Sequence, residues 1–186
     1  MNWRLALLRL YLPAAIKRDK LRELVSLTAD AFGCAAPGME GLSYRDCLRR
    51  YALFTREQAE KALERGSGLP EIRDRLYRNA HRFGQGIRQQ LGIAGPGEAV
   101  AAMRSLYRAI GIDFAGELPG GLPGEVVIGR CFFSRFYSEG VCRLISALDS
   151  GVAAGISGGG QLEFYQRLSE GHECCRAQFR FKGEAG

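Results

Sequence analysis

A glycine- and proline-rich stretch, Gly116 to Gly124, divides this chain into two segments of different hydrophobic period, and that break constrains the fold more than any other feature. Before it, apolar residues recur at steps of three to four, the spacing of one helix face; after it come a continuous apolar run, a further helical segment and two alternating segments. Such a chain is expected to be α+β, with a helical N-terminal part packed against a small, mostly antiparallel sheet that contains a C-terminal hairpin. At 186 residues it suits one domain, residues 1–186, with 1–121 as the basic helical part and 122–186 as the strand, helix and hairpin part.

Local signals place the elements. The first helix runs from about Pro13 to Phe32, with Leu21, Leu24, Val25, Thr28 and Phe32 on one face, and stops at Gly33. Ser43 caps a short helix with Asp46 in its first turn. Thr55 followed by Gln58 has the form of a capping box, which predicts a separate helix ending at Gly66 and Gly68. Pro70 opens the next helix, Glu71 to Leu91. Its interior Gly84 and Gly86 each cost about 1 kcal/mol relative to alanine, so they imply close helix contact or a kink. Glu98 to Ile110 forms another helix, and Ile112 to Phe114 a brief extended piece. Glu125 to Phe133 reads as a buried strand, Tyr137 to Ile156 as a helix, and Gln161 to Leu168 with Glu173 to Phe181 as a hairpin.

The net charge of +6 is confined to one part: Lys and Arg outnumber Asp and Glu 19 to 13 over residues 1–121 and match them 7 to 7 afterwards. Arg73, Arg75, Arg78, Arg82 and Arg88 recur at helical spacing beside Glu71 and Asp74, the pattern of a solvated face. With no reading motif beside them, they argue against nucleic acid as a partner. The apolar run Leu5 to Leu12 is interrupted by Arg9 and is far short of the roughly 20 residues that span a bilayer. It also lacks a small-residue cleavage site, so the expectation is a cytoplasmic protein with reduced thiols. Trp3, Leu7, Leu10, Tyr11 and Ala14 form a stripe suited to the core, with peripheral membrane contact as the alternative. A homodimer is left open.

Four of the six cysteines lie between Cys131 and Phe181. Because neighbouring side chains in a strand point to opposite faces, Cys175, Ala177, Phe179 and Phe181 share an apolar face, and Cys174, Arg176, Gln178 and Arg180 a polar one. In the partner strand, Leu162, Phe164 and Leu168 form one face and Glu163, Tyr165 and Arg167 the other. On the helix between them, Cys142, Ser146 and Asp149 stand at i, i+4 and i+7, in one line. A carboxylate there can serve as general base if burial raises its pKa; the alternative is an exposed aspartate near a helix end. Cys131, Cys142, His172, Cys174 and Cys175 could supply zinc ligands, but the only close set is His172-Glu173-Cys174-Cys175, and adjacent cysteines on a strand point apart. Zinc therefore stands as an alternative to a metal-free site. The glycines Gly158 to Gly160 follow a helix and lack a Lys-Ser/Thr ending, so they read as a turn.

A strand ending in Cys131, a helix bearing Cys142 and Asp149, and the terminal Arg167-Leu-Ser-Glu-Gly171-His-Glu-Cys-Cys175 followed by Phe179 together resemble the L-2-amino-thiazoline-4-carboxylic acid hydrolase-like family. The segment also looks like the 4-vinyl reductase type of small-molecule-binding domain, through the G-x-x-x-C ending of Gly171 and Cys175. That pattern carries a further cysteine where this chain has Arg167, and Ala177 stands where both families commonly place an aromatic residue. The hydrolase resemblance implies opening of a thiazoline ring at the carbon between nitrogen and sulfur. It implies Cys175 or Cys142 as nucleophile or thiol contact, Asp149 as general base, Arg167 as carboxylate clamp, and Cys131 and Ser146 as further substrate contacts. The other resemblance implies a non-catalytic binding or sensor domain with an apolar pocket between helices and hairpin.

Overall fold

Residues 13–115 and 124–183 are described by a computed structural model. Among them are the helices α1 (Ala14–Phe32), α2 (Tyr44–Arg65), α3 (Leu69–Leu91), α4 (Pro96–Ala109) and α5 (Glu139–Ser157). The strands are β1 (Ile112–Ala115), β2 (Gly124–Cys131), β3 (Gln161–Gln166) and β4 (Cys175–Arg180), with short 3-10 turns at Phe132–Arg135 and Leu168–Glu170. The fold is α+β, and its sheet has the order β1-β2-β4-β3 with every neighbouring pair antiparallel. None of these helices is long and apolar enough to cross a membrane. The expectations for Trp3, Leu7, Leu10 and Tyr11 and for the connection over residues 116–123 lie outside the described residues.

The helical stripes are buried as the period requires. Leu21, Leu24, Val25 and Thr28 of α1 face inward, as do Ile72, Leu76, Ala80, Phe83 and Ile87 of α3. Each fully buried Leu, Ile or Phe contributes roughly 1.5–3 kcal/mol over an exposed one. Helix α5 is the centre of the molecule, buried along most of its length from Val141 to Ile156. A helix that is apolar nearly all round needs partners on several sides. It meets α3, α2, α4 and the hairpin strand β3.

The contact of α5 with α3 is made by backbone. A Cβ on Gly155 would stand 2.2 Å from the carbonyl oxygen of His81, and one on Gly84 would stand 2.6 Å from that of Val152. Only glycine allows this approach. Gly86, by contrast, faces open space, so Gly84 alone of the two mid-helix glycines is a contact residue.

Two expectations are corrected. Thr55 does not start a helix: α2 runs unbroken from Tyr44 to Arg65, capped by Ser43, whose Oγ accepts the Asp46 N–H at 3.2 Å. Thr55 is fully buried, and its hydroxyl donates back to the Tyr51 carbonyl at 2.9 Å and meets the Tyr137 hydroxyl, so the polar atom that resembled a cap is satisfied inside the helix. Strand β2 is buried on one face only: Val126 and Ile128 are buried, Glu125 is exposed and Val127 lies between. An antiparallel sheet covered by helices on one side needs no more.

Candidate functional site

Three elements converge beneath the hairpin. Ser138 caps α5 by accepting the Val141 N–H, and the helical period then carries Cys142, Ser146 and Asp149 along one face. All three line a single cavity, which Cys131 from the end of β2 and Cys175 from the start of β4 complete. The space open to the centre of a water molecule is about 90 Å³. A single water needs roughly 10–15 Å³ on this measure, so the cavity takes several waters or a small ring. Much of its remaining wall is apolar, from Leu24, Phe133, Ile145, Leu148 and Val152.

Two β-bulges aim side chains at this region. Pairing of β1 with β2 runs Asp113↔Arg130 and then Phe114↔Ile128, leaving Gly129 as the extra residue. The slip turns Cys131, instead of Arg130, to the side of Ile128, and the Arg130 side chain is left 85% exposed. The second bulge lies between β3 and β4, where Phe164↔Ala177 is followed by Gln166↔Arg176 and Tyr165 is extra. Strict alternation predicts Arg167 on the outer face with Glu163 and Tyr165. The bulge instead turns it inward, where its side chain is only 13% exposed.

Arg167 does not line the cavity. Its Nη1 pairs with Glu170 Oε1 at 3.3 Å, and its guanidinium lies over the Phe164 ring at 5.4 Å. Glu170 also receives Arg143 at 3.0 Å, so the carboxylate clamp implied by the resemblance is engaged within the protein through Nη1, while its buried Nε has no hydrogen-bond partner among the described residues. Its charge still reaches Asp149, Cys142 and Cys175.

Asp149 is the carboxylate of the cavity wall. Burial pushes its pKa up from an ordinary 3.8 to about 6, against the opposing pull of the Tyr107 hydroxyl and, less strongly, of Arg167. Tyr107 donates to Oδ1 at 2.8 Å. The thiols are held neutral in the same way. Burial pushes Cys131 up to about 12, although the backbone N–H groups of Phe133 and Ser134 oppose it, and raises Cys142 and Cys175 as well. Cys175 Sγ accepts the Leu168 N–H at 3.3 Å, tying β4 to the 3-10 turn. The hydroxyl of Ser169 on that turn is buried beside Cys142.

The zinc alternative does not assemble. Cys175 is buried while Cys174 turns toward Gln166, whose Nε2 approaches its sulfur at 3.7 Å, and His172 is exposed with its Nε2 3.9 Å from Glu170. Cys131 and Cys142 are in the cavity, but among the described residues no three His, Cys, Asp or Glu side chains gather as a metal site.

Several residues of the site carry no signal of chemistry in the sequence. Tyr51 and Tyr137 present their rings to the cavity while their hydroxyls are engaged by Thr28, at 3.0 Å, and by Thr55. Tyr107 sits on the apolar stripe of α4, where a phenol reads only as bulk. The usable cue is that a buried tyrosine hydroxyl needs a partner. No protein-family model matches the chain, and no curated protein matches it.

Proposed function

We propose that the protein is a small hydrolase that opens a sulfur- and nitrogen-containing heterocycle of the 2-aminothiazoline carboxylate type, with Asp149 as general base. The observation that carries this reading is the Asp149 carboxyl, buried at the wall of a small, largely apolar cavity and poised near pH 6. A base with such a pKa is ionised at neutral pH and still accepts a proton readily. Water held by Asp149 adds to the ring carbon between nitrogen and sulfur. One water proton passes through the carboxylate to the ring nitrogen. As the carbon–oxygen double bond forms, the carbon–sulfur bond breaks, and the remaining hydroxyl proton passes by the same route to the departing sulfur. The product is a ureido acid with a free thiol.

Cys131, Cys142 and Cys175 serve this scheme as neutral contacts for the substrate sulfur, because raised thiols are poor nucleophiles at neutral pH. Six unpaired cysteines suit a reducing, cytoplasmic setting. The test is incubation with 2-aminothiazoline-4-carboxylate and titration of released thiol. Release by the wild type and none above background by Asp149→Asn supports the reading; equal release by both ends it.

One observation favours a second reading. With no thiolate and few polar wall groups, the cavity also suits a non-catalytic binding or sensor domain of the 4-vinyl reductase type. In that case native mass spectrometry of protein taken from cells carries a retained small molecule, and thiol release stays at background.

A further inference from the structure

Arg167 stands off the cavity lining with its Nη1 paired to Glu170, so a ligand bearing an anionic group in or beside the cavity needs another cation, and the wall of the cavity leads to one. Ile112, Cys131, Ser134 and Leu168 line both the cavity and a wider groove on its outer side, with about 630 Å³ open to water centres. Three arginines border that groove: Arg108 in the last turn of α4, Arg130 near the end of β2 and Arg135 in the following 3-10 turn. The carboxylate on the groove, Asp113, is 3.0 Å from Arg130, so that pair is internally balanced. Arg108 and Arg135 make no ion pair with a carboxylate among the described residues. The guanidinium of Arg135 lies over the ring of Phe132 at 4.9 Å, and that aromatic residue is itself part of the groove. Such stacking orients the guanidinium plane while leaving its N–H donors available.

We infer that this groove is the entrance to the cavity and that Arg108 and Arg135 bind the carboxylate of a small organic acid whose ring passes beyond Cys131 toward Asp149. The inference rests on the proposed function for the identity of the ring, and it moves carboxylate recognition from Arg167 to α4 and the 3-10 turn. The division suits the two volumes. The inner cavity takes a ring and little more, while the outer groove keeps the charged group in water, so its full desolvation is avoided.

The test uses isothermal titration calorimetry on the full chain with two matched pairs: 2-aminothiazoline-4-carboxylate against 2-aminothiazoline, and thiophene-2-carboxylate against thiophene-2-carboxamide. The wild type is expected to prefer the carboxylate of each pair, and added salt to weaken that preference. Arg108→Gln/Arg135→Gln should bind the carboxylates about tenfold more weakly and the uncharged partners unchanged, as loss of charge-assisted hydrogen bonds requires. Arg78→Gln, an exposed cation paired with Asp74 on α3, should bind as the wild type does. Both groove arginines are exposed, so the double variant should keep its circular dichroism spectrum; if it does not, the single variants replace it, each losing part of the factor. Unchanged carboxylate affinity in the double variant, equal loss for charged and uncharged partners, or no carboxylate binding to the wild type each overturns the inference. Arginine-dependent binding of thiophene-2-carboxylate without thiol release from the thiazoline upholds the groove and removes the hydrolase. Turnover with an unaltered KM in the double variant does the reverse.

Discussion

The hydroxyl of Tyr107 donates a 2.8 Å hydrogen bond to Oδ1 of Asp149 and joins α4 to α5 behind the cavity wall. Tyr107 is not on the lining of that cavity; its ring is buried among apolar residues between α4 and the sheet, including Phe114 at 5.9 Å between ring centroids. The carboxylate thus keeps one oxygen tied to the scaffold, and its rotamer is set by packing of the tyrosine ring. A general base held in this way is a pre-oriented one.

If Asp149 is the base, activity follows its ionisation. Turnover should rise with pH along a limb centred near 6 and level off above it. Asp149→Asn should lower kcat by about 10²–10⁴. The same substitution should stabilise the fold at neutral pH. Between 3.8, the unfolded value, and about 6, the folded state holds a proton that the unfolded chain has released. Stability therefore falls as pH rises through that window and stays lower above it. Urea midpoints should put Asp149→Asn about 1–3 kcal/mol above the wild type at pH 8, with the gap closing at pH 4.

Tyr107→Phe separates orientation from ionisation. The tyrosine hydroxyl stabilises the charged carboxylate, so its removal should move the acid limb of the rate profile to higher pH while leaving the apolar packing of the ring in place. A carbon-13 NMR titration of the Asp149 carboxyl reads the same shift without substrate. An unmoved midpoint in both measurements would mean that the hydrogen bond contributes nothing to the ionised form.

The α5 half of this site is legible in the sequence because helical spacing is local: Cys142, Ser146 and Asp149 share a face wherever the helix packs. The hairpin half is only partly legible. Alternation separates Cys175, buried at the start of β4, from the half-buried Cys174 just before it, but the bulges at Gly129 and Tyr165 arise from the pairing between strands, which the alternation of a single strand does not carry, and each reverses the face of the extended residues that follow it. Alternation alone therefore puts Arg167 on the outer face. Thr55 misleads for a related reason, because a capping box and a buried threonine bonded back to its own helix share a sequence and differ only in what packs above them.

The cavity thiols should resist alkylation. With Cys131 pushed up to about 12, its thiolate fraction at pH 7.5 falls about three orders of magnitude below that of an ordinary cysteine. Cys142 and Cys175 are displaced in the same direction, and access is restricted as well, since Cys175 is buried and Cys131 and Cys142 are half-buried. Brief treatment of the native protein with iodoacetamide, followed by peptide mass spectrometry, should leave these three largely unmodified, and the same treatment in urea should label them. Rapid native labelling of Cys175 would instead identify an activated thiol and restore it as a candidate nucleophile.

The site also depends on how closely α5 approaches α3, because that contact fixes the position of the helix that carries Asp149. Gly155→Ala would bring a methyl group to 2.2 Å from the His81 carbonyl oxygen and 2.8 Å from the Gln85 nitrogen, both backbone atoms that cannot rotate away. The helices must separate, and overpacking of this kind costs about 1–3 kcal/mol or more. Gly86→Ala adds the same methyl group elsewhere on α3, where nothing lies within 4 Å. Its helical backbone accepts alanine without strain, so the gain in helix propensity, about 1 kcal/mol, should appear as stabilisation. Urea denaturation should therefore move the two midpoints in opposite directions. In Gly155→Ala the displaced α5 should also weaken any activity that depends on Asp149, whereas Gly86→Ala should leave it in place. Equal and small shifts for both variants would show that the two helices are not in backbone contact.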